Sequence, residues 1–233
     1  MNTLGLETTA LGFVAGFTGK AIEDGLAAQG IHTDFIHLPE GNSRINVKVK
    51  HGDETEINGQ GPVITEEAIN ELFAKLATLT KEDILVLAGS IPNTLPEDIY
   101  EKILARLESK GIRVVVDATK DLLLNVLKYH PFLIKPNNHE LGEMFGTVCK
   151  TDEDIIHYAK KLQEKGAVNV LISMAGDGAI LITEDGQNIK MGTPKGKVVN
   201  SVGAGDSMVA GFITGYILSL IHISEPTRLR CIS

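Results

Sequence analysis

The sequence predicts an α/β fold in which a mostly parallel central sheet is covered by helices on both faces. Three apolar runs, residues 84–90, 112–119 and 168–174, have the length of a strand and lack the alternation of a half-exposed one. Segments with apolar residues at helical spacing lie between them. Such alternation is typical of parallel sheets that are buried on both sides. Ligands bind such sheets beyond the carboxyl ends of the strands, so the residues that follow each strand are the functional candidates.

Size and composition fit one soluble globular domain. The chain has 233 residues, of which 43% are hydrophobic, enough for a substantial core. Its formal net charge of -8 argues against nucleic acid or an acidic membrane as a partner. No apolar run reaches membrane-spanning length. The two cysteines, Cys149 and Cys231, provide no disulfide framework, so we expect a reducing compartment, the cytoplasm.

The N-terminal part contains a strand, a helix and a polar hairpin. Residues 9–15 are predicted to form an apolar strand, 16–19 a glycine turn and 20–29 a helix. Residues 43–50 alternate apolar and polar side chains, and a Gly-Asp turn leads into a second polar strand. We expect these polar strands, within residues 35–58, to form a small lid outside the main sheet.

The remainder of the chain repeats strand and helix. In chain order we expect a helix capped by Thr65, strand 84–90, a helix opened by a Thr94–Glu97 capping box, strand 112–119, a short strand 132–134, a helix 151–165 capped by Thr151, strand 168–174, a hairpin 179–191 and a last helix that follows Gly205.

The opening of that last helix carries the strongest functional signal, in the run VVNSVGAGDSMVAGF. The N–H groups of Gly203, Ala204 and Gly205 can turn into one concavity, and the helix adds positive charge, so a phosphate would bind there. Asp206 would repel phosphate and is better placed to take a proton from an attacking hydroxyl, an effect of roughly 10²–10⁴-fold. The alternative is a helix-capping aspartate after a flexible turn, worth about 1 kcal/mol.

Three further segments are functional candidates, and each of them also has a purely structural explanation. Asn137 and Glu140, in KPNNHEL, suit hydrated Mg²⁺, or they cap a helix. The small residues of SMAGDGA, 173–179, would let backbone approach a nucleotide, or they form a plain turn. Arg44 could hold a phosphate bidentately, or it is a solvated edge charge.

Together these motifs resemble the ribokinase-like pfkB carbohydrate kinases. NSVGAGDSMVAGF resembles the C-terminal signature of that family, and KPNNHEL resembles its Asn-x-x-Glu magnesium motif. LAGSIP, GNSRINVKV and TTALGFVAGFTGKAIEDGL narrow the resemblance to the branch of 1-phosphofructokinase and tagatose-6-phosphate kinase. The resemblance runs from about Thr3 to Tyr216. A Rossmann-type dehydrogenase is disfavoured, because no Gly-x-Gly-x-x-Gly follows the first strand.

The resemblance implies a kinase that uses ATP and Mg²⁺ on a sugar phosphate. Fructose 1-phosphate is the first candidate, with fructose 1,6-bisphosphate as product, and tagatose 6-phosphate is the alternative. By motif match, the site consists of Asp206 as base and substrate contact, Arg44 on the substrate phosphate, Asn137 and Glu140 on Mg²⁺, and an anion hole and ATP site of Ser201, Val202, Gly203, Ala204, Gly205, Ser173, Gly176 and Gly178.

Both ends of the chain depart from the family pattern. The family's N-terminal strand, its substrate-binding aspartate and its Gly-Gly segment are absent. Residues 218–233 resemble the in-frame translation of a transposase sequencing adapter. We therefore expect an incomplete kinase domain over 1–217, a non-native tail over 218–233 for which no element is predicted, and a poorly active or unstable chain. An inactive or binding-only fragment is the alternative of another class. An exposed lid could also pair across a homodimer.

Overall fold

A nine-stranded sheet forms the centre of the computed structural model, which describes residues 1–51, 53–89, 91–92, 94–196, 203–220 and 229–232. Its strands and those of two smaller sheets are β1 (Thr8–Leu11), β2 (Phe13–Ala15), β3 (His32–Thr33), β4 (Ile36–Leu38), β5 (Asn46–His51), β6 (Asp53–Asn58), β7 (Ile84–Ala88), β8 (Arg113–Asp117), β9 (Leu133–Ile134), β10 (Asn169–Ser173), β11 (Ala179–Ile182), β12 (Asn188–Met191) and β13 (Leu229–Ile232). The helices are α1 (Gly16–Ala27), α2 (Glu66–Ala77), α3 (Ile99–Leu107), α4 (Lys120–Val126), α5 (Asn138–Met144), α6 (Asp152–Glu164) and α7 (Ala204–Leu220).

The sheet has the predicted, mostly parallel organisation. Its strand order is β12-β11-β10-β9-β8-β7-β13-β1-β3, with β11 antiparallel to both β10 and β12 and the other neighbours parallel. Both residues of β9, Leu133 and Ile134, are 0% exposed although their side chains point to opposite faces. Apolar clusters cover both faces, and α7 packs on one of them through Val209, Ile213 and Ile217.

Two of the three predicted helix caps are confirmed. The hydroxyl of Thr65 accepts from the Ala68 N–H at 3.2 Å, and Thr151 forms a capping box with Asp154. The Thr94–Glu97 capping box is wrong, because α3 begins only at Ile99 and Thr94 instead donates to a backbone carbonyl at 3.5 Å. The proline that follows Leu95 disfavours a helix at that point and delays its start.

The N-terminal elements differ from the prediction in two ways. The strand expected over 9–15 breaks at Gly12, so that β1 joins the main sheet while β2 pairs with β4 in a separate sheet. No glycine turn precedes the helix, since α1 begins directly at Gly16. Gly16 itself has φ +56°, and a side chain there would collide with Asn42. Helix α4, which the sequence did not predict, follows β8.

The predicted lid is a hairpin outside the main sheet. Strands β5 and β6 pair antiparallel over six residues and form a sheet of their own. Strand β4 also falls within residues 35–58, the range predicted for the lid, but it belongs to the small sheet with β2. None of the helices in the described ranges combines the length and the hydropathy that a membrane-spanning segment needs.

The tail takes a position that the sequence did not predict. No element was predicted for residues 218–233, yet β13 lies between β1 and β7 and pairs parallel with both over four residues. A strand in this position satisfies backbone N–H and C=O groups on the facing edges of both neighbours. The origin of the tail in an adapter stays a prediction.

Candidate functional site

Three neighbouring strands bring polar residues together at the carboxyl edge of the sheet. Asp117 ends β8, Lys135 directly follows β9, and Ser173 ends β10. Asn137 forms a β-bridge with Ser173, and the Ser173 N–H donates to the Pro136 carbonyl at 3.1 Å. The segments after β8, β9 and β10 therefore meet at one edge, as the parallel sheet predicted.

Asp206 lies in the first turn of α7 and opens to a cleft. The preceding Gly203 has φ +78°, a left-handed conformation that favours glycine, and its carbonyl accepts from the Ser207 N–H at 2.9 Å. The N–H groups of residues 204–206 belong to the first helical turn and lack an intrahelical acceptor. The exposed Asp206 lines a cleft of about 960 Å³. Ser201 and Val202, the rest of the predicted anion hole, lie outside the described residues.

A buried ion pair lies against the first turn of α7. The ammonium of Lys135, a side chain only 9% exposed, is 3.2 Å from the Asp117 carboxylate. It also lies against α7, because a methyl group added to Gly205 would be 3.1 Å from the Lys135 Nζ. Burial raises the pKa of the Asp117 carboxyl, Lys135 opposes that shift, and the negative charges of Asp206 and Glu140 add to it. Charged groups at the ends of β8 and β9 and at the starts of α5 and α7 therefore interact in one site.

Asn137 and Glu140 form a capping box, which is the structural alternative to Mg²⁺ binding that the sequence suggested for them. The Asn137 Oδ1 accepts from the Glu140 N–H, and the Glu140 Oε2 accepts from the Asn137 N–H, both at 2.8 Å. One oxygen of each side chain is therefore committed to α5. Over the described ranges, no cluster of three or more His, Cys, Asp or Glu side chains could hold a metal ion by itself. The magnesium role of this pair stays a prediction.

The loop after β10 is explained in part by local packing. Gly178 has φ +93° and is buried, and a side chain there would collide with the backbone of Met191 in β12. The Gly178 carbonyl accepts from the Met174 N–H at 2.9 Å, which closes a tight turn. Gly176 is exposed, and its carbonyl accepts from the Thr193 hydroxyl at 2.9 Å. A contact of Ser173, Gly176 or Gly178 with a nucleotide stays a prediction.

Arg44 lies in the wall of a second, smaller cavity. It precedes β5 by two residues, is exposed, and lines a cavity of about 210 Å³ between the base of the lid and helices α2 and α3. This cavity shares Ile91, Pro92 and Leu95 with the cleft that Asp206 lines. Arg44 and Asp206 therefore face adjoining cavities rather than one common pocket.

Asp117 and Lys135 fall among the residues that the sequence marks as candidates because they follow strands, but no role was predicted for either of them. Each comes at the carboxyl end of an apolar strand, and the register pairs Val116 in β8 with Ile134 in β9, one residue earlier in each strand. The strand-end rule therefore marks both residues, whereas their ion pair follows only from the pairing of β8 with β9.

Comparisons with known proteins extend over nearly the whole chain. The family model described as pfkB family carbohydrate kinase matches residues 1–220. The 1-phosphofructokinase of Bacillus subtilis is 50% identical over 220 residues, 94% of this chain and 72% of that protein. The D-tagatose-1-phosphate kinase of Bacillus licheniformis is 39% identical over 214 residues, 91% of this chain and 70% of that protein. A solved structure described as a phosphofructokinase from Staphylococcus aureus is 47% identical to this chain and superposes on it with a TM-score of 0.83. The match covers 92% of this chain and 70% of that one.

Proposed function

The chain belongs to the pfkB family of carbohydrate kinases, and on that premise we propose that it phosphorylates fructose 1-phosphate with ATP, giving fructose 1,6-bisphosphate and ADP. The predicted family, the ribokinase-like fold and the class of enzyme, a phosphotransferase with an alcohol acceptor, are confirmed. The observation that carries the proposal is the Asp206 carboxylate, which stands in the first turn of α7 and opens to a cleft.

The choice of sugar phosphate rests on the sequence identity of this chain to two relatives. The 50% identical relative is a 1-phosphofructokinase, whereas the tagatose-phosphate kinase is 39% identical. That second relative is named for tagatose 1-phosphate, not for the 6-phosphate that the sequence analysis considered. Fructose 1-phosphate and tagatose 1-phosphate differ only in the configuration at C4 and carry the same acceptor hydroxyl at C6. Tagatose 1-phosphate is therefore the second candidate.

Asp206 would act on the acceptor hydroxyl. Its carboxylate takes the hydroxyl proton while the oxygen attacks the γ-phosphorus of ATP, and the bond from that phosphorus to the bridging oxygen of ADP breaks. The amides of the first α7 turn, with Gly203 before them, would face the charge on the transferring group. The catalytic effect would come from positioning and charge stabilisation, because this transfer needs little covalent chemistry from the protein.

Nucleotide and magnesium would bind at the neighbouring strand ends. Asn137 and Glu140 would hold hydrated Mg²⁺. The capping box is compatible with this role because it fixes both side chains, leaves one Glu140 oxygen unengaged and uses one lone pair of the Asn137 Oδ1. When bound, Mg²⁺ neutralises charge on the phosphates. The predicted nucleotide contacts are Ser173, Gly176, Gly178, Ser201 and Val202.

The lid and Arg44 would serve the sugar phosphate. Arg44 lies where the lid meets the smaller cavity, and its guanidinium would bind the phosphate that the substrate already carries. The lid leaves the apolar side chains of Val47, Val49 and Ile57 exposed on one face. We propose that a second copy covers this face in a homodimer. A cytoplasmic location, which the scarcity of cysteine favours, completes the proposal.

A panel of sugar phosphates tests the function. The chain is incubated with ATP, Mg²⁺ and one sugar phosphate at a time, and the release of ADP is measured in a coupled assay. We expect the highest kcat/KM with fructose 1-phosphate, a lower value with tagatose 1-phosphate and the lowest with tagatose 6-phosphate. Release of ADP that does not depend on any sugar phosphate would contradict the proposal. A turnover rate as high as that of a complete 1-phosphofructokinase would contradict the prediction that this chain is poorly active.

A further inference from the structure

Ser43 is a buried polar residue that directly precedes Arg44, and the proposed function gives it no role. It is 8% exposed, although serine is mostly found at protein surfaces. Its N–H donates to the Ala15 carbonyl, and its hydroxyl oxygen accepts from the Ala15 N–H, both at 2.9 Å. Its carbonyl accepts from the Thr18 hydroxyl at 2.8 Å. The N–H, the hydroxyl oxygen and the carbonyl of Ser43 are therefore each bound to the end of β2 or the start of α1.

Helix α1 also takes its N-terminal cap from the loop that contains Ser43. Ala15 occupies the N-cap position and offers no side-chain hydrogen bond, whereas the Asn42 Oδ1 accepts from the Phe17 N–H at 3.2 Å. A serine, threonine, asparagine or aspartate at the N-cap position would satisfy such an N–H locally. The chain instead uses a side chain 25 residues away, next to Ser43. The start of the helix and the loop therefore support each other.

Glycines allow this loop to pack closely on two sides. A methyl group added to Gly19 in α1 would be 3.0 Å from the Ser43 Oγ. On the other side, a methyl group added to Gly61, in the segment that leaves the lid, would be 3.4 Å from the Arg44 Cβ. Residues 43 and 44 are therefore in close contact both with α1 and with the exit of the lid.

Arg44 lies between this anchor and the lid. Just beyond it, the Gly59 N–H donates to the Ile45 carbonyl at 3.1 Å and joins the two ends of the lid. A guanidinium binds phosphate through two hydrogen bonds of defined geometry, and a long side chain on a loosely held backbone loses more freedom when it binds. A backbone that is fixed before the ligand arrives reduces that cost. Ser43 provides such a fixed point one residue before Arg44.

We propose that Ser43 is a positioning residue that, together with Thr18, holds the backbone of Arg44 against α1, so that the guanidinium meets the phosphate that the sugar already carries. This role rests on the proposed function, in which Arg44 binds that phosphate, and adds two residues that act through Arg44. A purely structural role has a different consequence. Loss of the hydrogen bonds of Ser43 would then lower stability and leave the affinity for the sugar phosphate unchanged.

Binding of fructose 1-phosphate to variants of the whole chain separates the two roles. Calorimetric titration without ATP gives the dissociation constant, and the melting temperature reports stability. Thr18→Val removes the hydroxyl that donates to the Ser43 carbonyl and keeps the shape of the side chain, whereas Thr18→Ser keeps the hydroxyl. Thr78→Val is the matched control, because the Thr78 hydroxyl also donates to a backbone carbonyl at 2.8 Å, in that case at the end of α2.

We expect the affinity for fructose 1-phosphate to follow the hydrogen bonds of Ser43. Ser43→Ala should weaken binding about tenfold and Thr18→Val about fivefold, because each leaves the backbone of Arg44 less fixed. Thr18→Ser and Thr78→Val should bind within about twofold of the wild type. Ser43→Ala should also melt earlier, since the buried Ala15 N–H loses its partner. Wild-type affinity in both Ser43→Ala and Thr18→Val would overturn the inference.

A double-mutant cycle shows whether the effect passes through Arg44. Arg44→Met alone should weaken binding of fructose 1-phosphate by about tenfold or more. Ser43→Ala added to Arg44→Met should change the remaining affinity by less than about twofold, although it still lowers the melting temperature. Losses of affinity that multiply fully in the double variant would contradict a positioning role, because Ser43 would then act independently of Arg44.

The two proposals fail in different ways. If the wild type releases ADP with a sugar phosphate and Ser43→Ala keeps the wild-type affinity, the positioning role fails and the function stands. If Arg44→Met binds fructose 1-phosphate as the wild type does, the positioning role fails with the role of Arg44, and the release of ADP still decides the function. If the wild type neither binds fructose 1-phosphate nor releases ADP with any sugar phosphate, both proposals fail.

Discussion

The lid hairpin and the central sheet are both β-structure, but they are stabilised in opposite ways. In the sheet, β7 to β10 consist mainly of buried apolar residues, and Leu85, Val115 and Leu133 are completely buried. In the lid, Val47 and Val49 are each 45% exposed and Ile57 is 60% exposed. The sheet therefore has its covering helices within this chain, whereas the apolar face of the lid is exposed among the described residues.

The largest expected effect comes from a cavity in the sheet. Leu133→Ala should lower the free energy of unfolding by about 2–5 kcal/mol, because Leu133 is completely buried and its truncation leaves a cavity that neighbours fill only in part. Val47→Ala in the lid is the control and should cost less than about 0.5 kcal/mol. Urea unfolding of both variants measures the difference. Equal losses would break the contrast between the two regions.

A smaller effect, of about 1–3 kcal/mol, is expected from Tyr100 at alkaline pH. Burial, with a contribution from Asp117, raises the pKa of this phenol to about 12. Between pH 10 and 12 the unfolded chain therefore loses the proton first, so ionisation of Tyr100 lowers stability as pH rises through that window. Tyr100→Phe should reduce this loss, as urea unfolding at several pH values can measure. Parallel pH dependences in both proteins would contradict the assignment.

The cap of α5 should contribute about 0.5–2 kcal/mol. Asn137→Ala removes the side chain that accepts from the Glu140 N–H at 2.8 Å, so one N–H of the first turn loses its partner. The neighbouring Asn138 lies inside the helix and is not its cap, so Asn138→Ala is the matched control. Thermal unfolding of the two variants should differ, and a loss confined to Asn138→Ala would contradict the capping geometry.

The smallest effect is expected from a substitution in the lid. Ile57→Thr should change the free energy of unfolding of the isolated chain by no more than about 0.5 kcal/mol, because the side chain is largely exposed. If a second copy covers the lid, the same substitution should weaken dimerisation, which sedimentation at several concentrations would detect. A monomer at all concentrations in the wild type would contradict the proposed homodimer.

The sequence predicted the sheet well because burial leaves a strong pattern. Continuous apolar runs gave β7, β8 and β10, and the caps at Thr65 and Thr151 gave the starts of α2 and α6. The errors lie where the pattern is weak. Gly12 divides one apolar run between two sheets, and the strand formed by the tail depends on an opening between β1 and β7 that exists only in the folded chain.

Only the local motifs of the candidate site could be predicted from the sequence, and not the contacts between them. The position of Asp206 after Gly203 follows from the local sequence, because a left-handed glycine and a helix start leave a recognisable pattern. The approach of Lys135 to Gly205 could not be predicted, since these residues are far apart in the sequence and meet only when α7 packs on the sheet. For the same reason, no local pattern revealed that Asp117 would be its partner.

The most direct test of the proposed mechanism is Asp206→Asn, because the substitution removes the base and keeps the shape of the side chain. ADP release with fructose 1-phosphate should fall by roughly 10²–10⁴-fold relative to the wild-type chain, while the affinity for ATP stays within a few-fold. An Asp206→Asn variant that turns over at the wild-type rate would contradict the claim that this carboxylate, at the start of α7, deprotonates the acceptor hydroxyl.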